Sequence, residues 1–268
     1  MAMLSSLLRR FSASSAVILL AAMTFAGFGQ PASAQPSSGT SGTQGRQMIA
    51  ITSGTGFFIS NRGYILTNEH VVRGCSSVKI RGAVNPTTAR VVDTNNEHDL
   101  ALLQTTAVPP AVATFRNSML NVRIGDPVMV MGYPLEYGIS GQYKVASATL
   151  LNLQGPQNEV KWLQFSDSAQ MGNSGGPLID ASGNVIGVIV GKATVTRNNP
   201  LNSRAEVVKK SDIAISMPIV RNFLQRNNVY VQFSDVRTYL SIPRLENRAR
   251  NYIVNIHCEQ PTQQAANH

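Results

Sequence analysis

Gly172-Asn173-Ser174-Gly175-Gly176-Pro177 is the stretch on which the reading of this chain turns. A serine hydroxyl is a weak nucleophile until a neighbouring base takes its proton. Glycines on both sides of Ser174 let the backbone turn sharply, so that successive amides aim at one point. The amides of Gly172 and Ser174 are the candidate donors to a developing negative oxygen. One such donor lowers a transition state that carries this charge by about 3 kcal/mol. Taken alone, the same six residues also read as a glycine-rich turn with an exposed serine, so the partners decide.

Chain order supplies those partners. The run also fits G-x-S-x-G, the elbow of α/β-hydrolases, whose order is serine, acid, histidine. Downstream of Ser174 stand only His257 and His268, and nothing around either resembles a catalytic loop. Upstream, His70 lies in Thr67-Asn68-Glu69-His70-Val71-Val72, directly after the apolar run Tyr64-Ile65-Leu66-Thr67. Asp99 opens the apolar run Leu100-Ala101-Leu102-Leu103. An acid in that place can be buried against an imidazole, fixing its tautomer and stabilising its charged form. His98 is the rival base, but its setting is polar. His70, Asp99 and Ser174 are therefore the candidate triad, in the order His–Asp–Ser.

The rest of the chain reads as all-β. Short apolar runs at 49–60, 64–67, 78–80, 90–92, 100–104, 126–132, 142–147, 163–166, 177–180 and 185–190 are separated by turns. Ala181-Ser182-Gly183-Asn184 is a hairpin turn. Such even spacing predicts a sandwich or barrel and not a doubly wound sheet. Two helices are expected, at 219–227 and from Ser241 to about Arg250. In the final strand Tyr252, Val254, Ile256 and Cys258 share one face.

The 268 residues are 43% hydrophobic and 14% charged, which excludes disorder as the main state. Arg9 and Arg10, an apolar stretch from Ala16 to Phe28 and Ala32-Ser33-Ala34 read as a signal peptide over 1–34, cut after Ala34. The apolar stretch is too short for a stable transmembrane anchor. Residues 35–47, rich in Gly, Ser, Thr and Gln, are expected to form a flexible leader. The mature chain carries net charge +7, against +9 for the whole. A basic balance alone does not point to nucleic acid, and none is expected as a partner. Weak contact with anionic envelope surfaces is the expected consequence of the charge. Export to the periplasm or beyond is oxidising, so Cys75 and Cys258 either bridge or remain buried thiols, and the bridge is expected. No His, Cys or Asp cluster has metal-ligand spacing, so no metal or cofactor is implied.

The ordered set of words resembles the trypsin-like serine proteases, specifically their bacterial HtrA (Deg) branch. The words are Gly54-Thr55-Gly56-Phe57, Gly63 to Val72, His98 to Leu103, Ile124-Gly125-Asp126-Pro127-Val128, Gly132-Tyr133-Pro134 and Gly172 to Leu178. The resemblance implies two six-stranded antiparallel β-barrels over 48–227, the first at about 48–125 and the second at about 126–227, with the site between them. It implies a serine endopeptidase acting on proteins or peptides through an acyl-enzyme. It also implies that Val190, Gly191 and Lys192 pair with the substrate backbone as an added strand. A non-catalytic peptide binder or chaperone on the same fold is the alternative; a lost triad member is its expected mark, and none is lost.

Departures from the branch are informative. Residues 228–268 read as a helix–strand extension, too short for the PDZ domain usual in this branch. Asn173 replaces the aspartate that digestive trypsins pair with a freed amino terminus, so that activation switch is not expected. Met171 stands where a proline is common, and the preceding loop is atypical. A small apolar specificity pocket is expected, with Asp167 as the alternative floor residue favouring basic side chains.

Overall fold

A computed structural model describes residues 49–136, 139–140, 142–155, 158–166, 168–198 and 205–261. The expected signal peptide and leader, and Asp167, lie outside the described residues. In chain order the elements are β1 (Ile49–Phe58), β2 (Tyr64–Thr67), α1 (Glu69–Val72), β3 (Ser77–Gly82), β4 (Thr87–Asn95) and β5 (Leu100–Gln104). Then come β6 (Thr114–Arg116), a 3-10 turn (Met119–Asn121), β7 (Pro127–Gly132), the short pair β8 (Leu135–Glu136) and β9 (Ile139–Ser140), β10 (Lys144–Asn152) and β11 (Trp162–Phe165). The last are β12 (Pro177–Asp180), β13 (Val185–Asn198), β14 (Ala205–Ser216), α2 (Met217–Arg226), β15 (Gln232–Ser234), α3 (Ile242–Ala249) and β16 (Ile253–Pro261).

The fold is all-β, with two closed rings of six antiparallel strands. The first ring runs β1-β16-β3-β4-β5-β2. The second runs β12-β7-β10-β11-β14-β13 and closes through β12–β13. β6 and β15 add to its outside in parallel register, with Phe115 packed between Phe57 and Phe233. Each ring has its own apolar interior. Phe57, Ile65, Leu66, Ile80, Leu102 and Ile256 fill the first, and Val130, Leu150, Phe165, Leu178 and Ile186 the second. Both sets fall on strands at alternating positions or in continuous apolar runs, as burial on one or both faces requires.

The strand expected in an extension after the protease domain lies inside the first ring. β16 pairs with β1 from Ile49↔Pro261 to Phe57↔Ile253 and with β3 on its other side. The first barrel is therefore not confined to residues 48–125. The reason is local: β6, which closes that span, pairs with β13 and not with the first ring, and β16 takes the place between β1 and β3. A disulfide between Cys75 and Cys258, with Cα atoms 5.3 Å apart, ties β16 to the segment between α1 and β3. Asn255, fully buried, donates from Nδ2 to Ser53 Oγ and Gly54 O and pins β16 to β1.

Both expected helices form. Pro218 stands in the first turn of α2, where its missing N–H leaves no gap in the ladder. Val220, Phe223 and Leu224 form its buried face. The sequence reading ends a strand at Val190 and assigns none to 205–216, yet β13 runs on to Asn198 against β14. Register slips at Ile189/Gly191 and Val195/Thr196 break the two-residue period, which hides the ladder from a pattern count.

Candidate active site

α1 begins directly after β2, and this places His70 in the first turn at the mouth of the first barrel. Glu69, nearly buried, receives both Nε and Nη2 of Arg73 one turn on, so the short helix is held by a charged clasp. Asp99 enters β5 with φ +52°, a left-handed value that aspartate tolerates better than most residues. The bend lets one carboxylate meet His70 twice. Oδ2 lies 2.7 Å from the ring Nδ1, and Oδ1 accepts the His70 backbone N–H at 2.9 Å. The Asp99 carbonyl also accepts Asn68 Nδ2 at 2.9 Å. Ring and acid are thus fixed together, which selects the tautomer with hydrogen on Nδ1 and leaves Nε2 as the basic nitrogen. His98, the rival, lies 3.9 Å from Glu97 instead.

The serine turn is built on glycines that nothing larger can replace. Gly172 and Gly175 have φ +93° and +83°. A Cβ on Gly172 meets the Tyr133 carbonyl oxygen at 2.4 Å, and one on Gly175 meets Thr55 O and Thr67 Oγ1 at 2.2 Å each. Those contacts set Ser174 against the end of β2, beside the residues that lead into His70. Thr55 is the bolt. Its hydroxyl donates to Gly172 O at 2.6 Å and accepts from Tyr133 N at 3.0 Å, and its amide donates to Ser174 O at 2.9 Å. The amides of Asn173, Gly175 and Gly176 go to Gln170 O, Ile189 O and Asn173 O. Among the described residues those of Gly172 and Ser174 have no such acceptor, which suits them to an incoming oxygen. The Ser174 hydroxyl donates to Val190 O at 2.8 Å.

The structure brings Val190 to the serine, and Gly191 and Lys192 follow it on β13. One residue that sequence reasoning missed is Asp212, fully buried on β14 opposite Lys192. Its Oδ2 accepts the amides of Ser168 and Ala169 at 2.7 and 2.6 Å, and Lys192 Nζ stands 3.7 Å from Oδ1. It therefore braces the loop that leads into the serine turn. The signal was an acid inside the run Asp212-Ile213-Ala214-Ile215, where a charge needs a reason. Thr55 carried no signal beyond its place between two glycines.

A model of the trypsin-like peptidase domain matches residues 54–188. Two antiparallel barrels meeting at a glycine-flanked serine are the architecture of that class. The chain belongs to this family, and within it stands with the bacterial HtrA-like serine proteases. It is 33% identical over 212 residues to an uncharacterized protein, y4bJ, of Sinorhizobium fredii, covering 78% of this chain and 33% of that one. It is 34% identical over 148 residues to a probable periplasmic serine endoprotease DegP-like of Pseudomonas fulva, covering 55% of this chain and 30% of the relative. The chain thus spans about a third of the length of these curated relatives. Among solved structures, the Rv3671c protease in an inactive form superposes with TM-score 0.51 at 28% identity, covering 66% of this chain and 87% of that one. A serine endoprotease from Yersinia pestis gives 0.50 at 25% identity, covering 65% and 57%.

Proposed function

We propose that the chain is an exported serine endopeptidase that cleaves peptide bonds through an acyl-enzyme, with Ser174 as nucleophile, His70 as general base then acid, and Asp99 as the residue that orients His70. The observation that carries this reading is the double contact of Asp99 with His70, at 2.7 and 2.9 Å, together with a serine turn in which the amides of Gly172 and Ser174 have no backbone acceptor among the described residues. In the resting state the Ser174 hydroxyl is engaged by Val190 O. A substrate backbone N–H that takes over this carbonyl frees the hydroxyl, and rotation about the Cα–Cβ bond delivers it to His70 Nε2. The proton moves to the imidazole as Oγ attacks the carbonyl carbon. The amides of Gly172 and Ser174 receive the oxyanion, and His70 then gives its proton to the departing amine. Water repeats the sequence on the acyl-enzyme.

Export rests on residues 1–34 and on the periplasmic designation of DegP-like relatives. No helix of the described residues is long and apolar enough to cross a membrane. Substrates are proteins or peptides in that compartment. The experiment is casein hydrolysis by residues 35–268 beside Ser174→Ala. Turnover in the variant should fall by several powers of ten, on the order of 10⁴ or more. Equal turnover in both proteins rejects the assignment.

A further inference from the structure

A cleft in the second barrel gathers three arginines, and no residue of the candidate triad lines it. Arg116 comes from β6, Arg123 from the segment ahead of β7 and Arg237 from the segment between β15 and α3. The cleft measures about 340 Å³, within the span of roughly 300–1,000 Å³ that small-ligand sites occupy. Val122, Val128 and Ile186, all buried, give it an apolar wall, and the exposed ring of Tyr239 stands at its mouth. The segment after β15 is fastened to the rest. Val236 O accepts Arg116 Nη1 at 2.8 Å and Asn184 Nδ2 at 3.2 Å, and Leu240 N donates to Ala181 O at 2.9 Å. The walls are therefore set before any ligand arrives, which lowers the cost of binding one.

Arg116 is the residue that points to a ligand. Its side chain is only 5% exposed, yet a guanidinium carries five N–H donors. Among the described residues its one hydrogen bond is that to Val236 O. Nε is buried and meets no acceptor. Asp180 Oδ2 stands 3.5 Å from Nη1, but that carboxylate is divided. Its Oδ1 accepts the amides of Ser182 and Asn184 at 2.9 Å each, and its Oδ2 takes Asn184 Nδ2 at 3.3 Å. The other acid of the cleft, Asp126, accepts the Arg123 amide at 2.8 Å. Asp235, which stands outside the lining, accepts Ser118 N and Asn117 Nδ2. A buried cation is stable when it is fully paired, and this one is paired in part. The side of the guanidinium formed by Nε and Nη2 is a fork that a carboxylate meets with two parallel bonds.

We propose that this cleft binds a small organic anion, a carboxylate carried on an apolar body. One carboxylate oxygen meets Arg116 Nη2, and a small rotation of the guanidinium brings Nε to the second. The body lies against Val122, Val128 and Ile186. Arg123 and Arg237, both exposed, draw the anion to the mouth. The apolar wall disfavours inorganic phosphate, which leaves it unused. The buried guanidinium disfavours a neutral apolar molecule, which leaves its donors unmet.

The test is titration of the full-length chain with 3-phenylpropionate, followed by calorimetry and by nitrogen–proton correlation spectra. Saturable shifts are expected at the backbone amides of Arg116, Ser182 and Ile186 and at the Arg116 Nε–H. 3-Phenylpropionamide keeps the body and loses the charge, and it should bind about tenfold more weakly or worse. Acetate and inorganic phosphate, which lack the body, should fall behind by a similar factor. Arg116→Lys keeps the charge and loses the fork; affinity should drop about tenfold while the Tm stays near the wild-type value. If that variant does not fold, the site of the shifts and the acid-to-amide ratio in the wild type decide the matter. Three results overturn the proposal: no saturable shift in the cleft up to about 20 mM acid, equal binding of acid and amide, or unchanged binding in a folded Arg116→Lys chain. All leave the protease reading where it stands, since no candidate catalytic residue takes part.

Discussion

At the scale of single residues, Thr55 shows how few atoms hold the site together. Its side chain is fully buried and its hydroxyl serves Gly172 O and Tyr133 N at once, so it links a first-barrel strand to two loops of the second. Thr55→Val keeps the shape and removes both bonds. Stability should fall by about 1–3 kcal/mol, the cost of leaving buried polar groups unmet, and kcat should fall with it as the serine turn loosens. Thr55→Ser should restore most of both; urea denaturation beside peptide hydrolysis measures the pair. The candidate triad could be named from the sequence because its residue types are chemically committed and their order excludes the hydrolase elbow. Thr55 and Asp212 were not, because a threonine in a strand and an acid among apolar residues acquire their roles only when distant segments meet.

The elements repeat this contrast. β2, β5, β7 and β12 were legible as apolar runs, and α2 as a spaced apolar face. β14 was missed because Lys209, Lys210, Ser211 and Asp212 interrupt its alternation, and because bulges shift its register against β13. The serine turn is the element where backbone shape tolerates least. In Gly175→Ala a methyl group meets Thr55 O at 2.2 Å in a left-handed conformation. The conformation alone costs an L-residue about 1–3 kcal/mol, and the clash adds to it. The urea midpoint should drop and hydrolysis should vanish while Ser174, His70 and Asp99 remain in the sequence; retention of wild-type values counts against the packing described here.

For the whole molecule, the decisive piece is β16. Its apolar face and its cysteine were readable, but not its place in the first barrel, since strand order is a property of pairing over long separations. Cys75 and Cys258 are 183 residues apart, and closing so long a loop restricts the unfolded chain. Replacing both by serine should lower stability by about 2–4 kcal/mol in urea, and thiol titration of the unfolded, unreduced protein should find no free thiols. β16 also carries an acid sensitivity. Burial pushes His257 below the ordinary histidine value, helped by Arg81 and Lys79 and opposed by Glu259. The unfolded chain therefore binds this proton more readily. The contribution of His257 to stability is fully present above about pH 6.5 and is lost as pH falls from there through the lowered folded value. His257→Gln should flatten the Tm-against-pH curve in that window; an unchanged slope assigns the acid sensitivity elsewhere.

The threading of β16 between β1 and β3 also orders events in time. Synthesis delivers a chain from its amino end, so His70, Asp99 and Ser174 all emerge before the strand that closes the first barrel. Until Ile253–Pro261 arrives, β1 and β3 have bare edges and the barrel that carries His70 is open. A growing chain therefore holds all three candidate residues before the scaffold around them is complete. The fold itself delays completion of the candidate site until nearly all of the described polypeptide has cleared the machinery that made it.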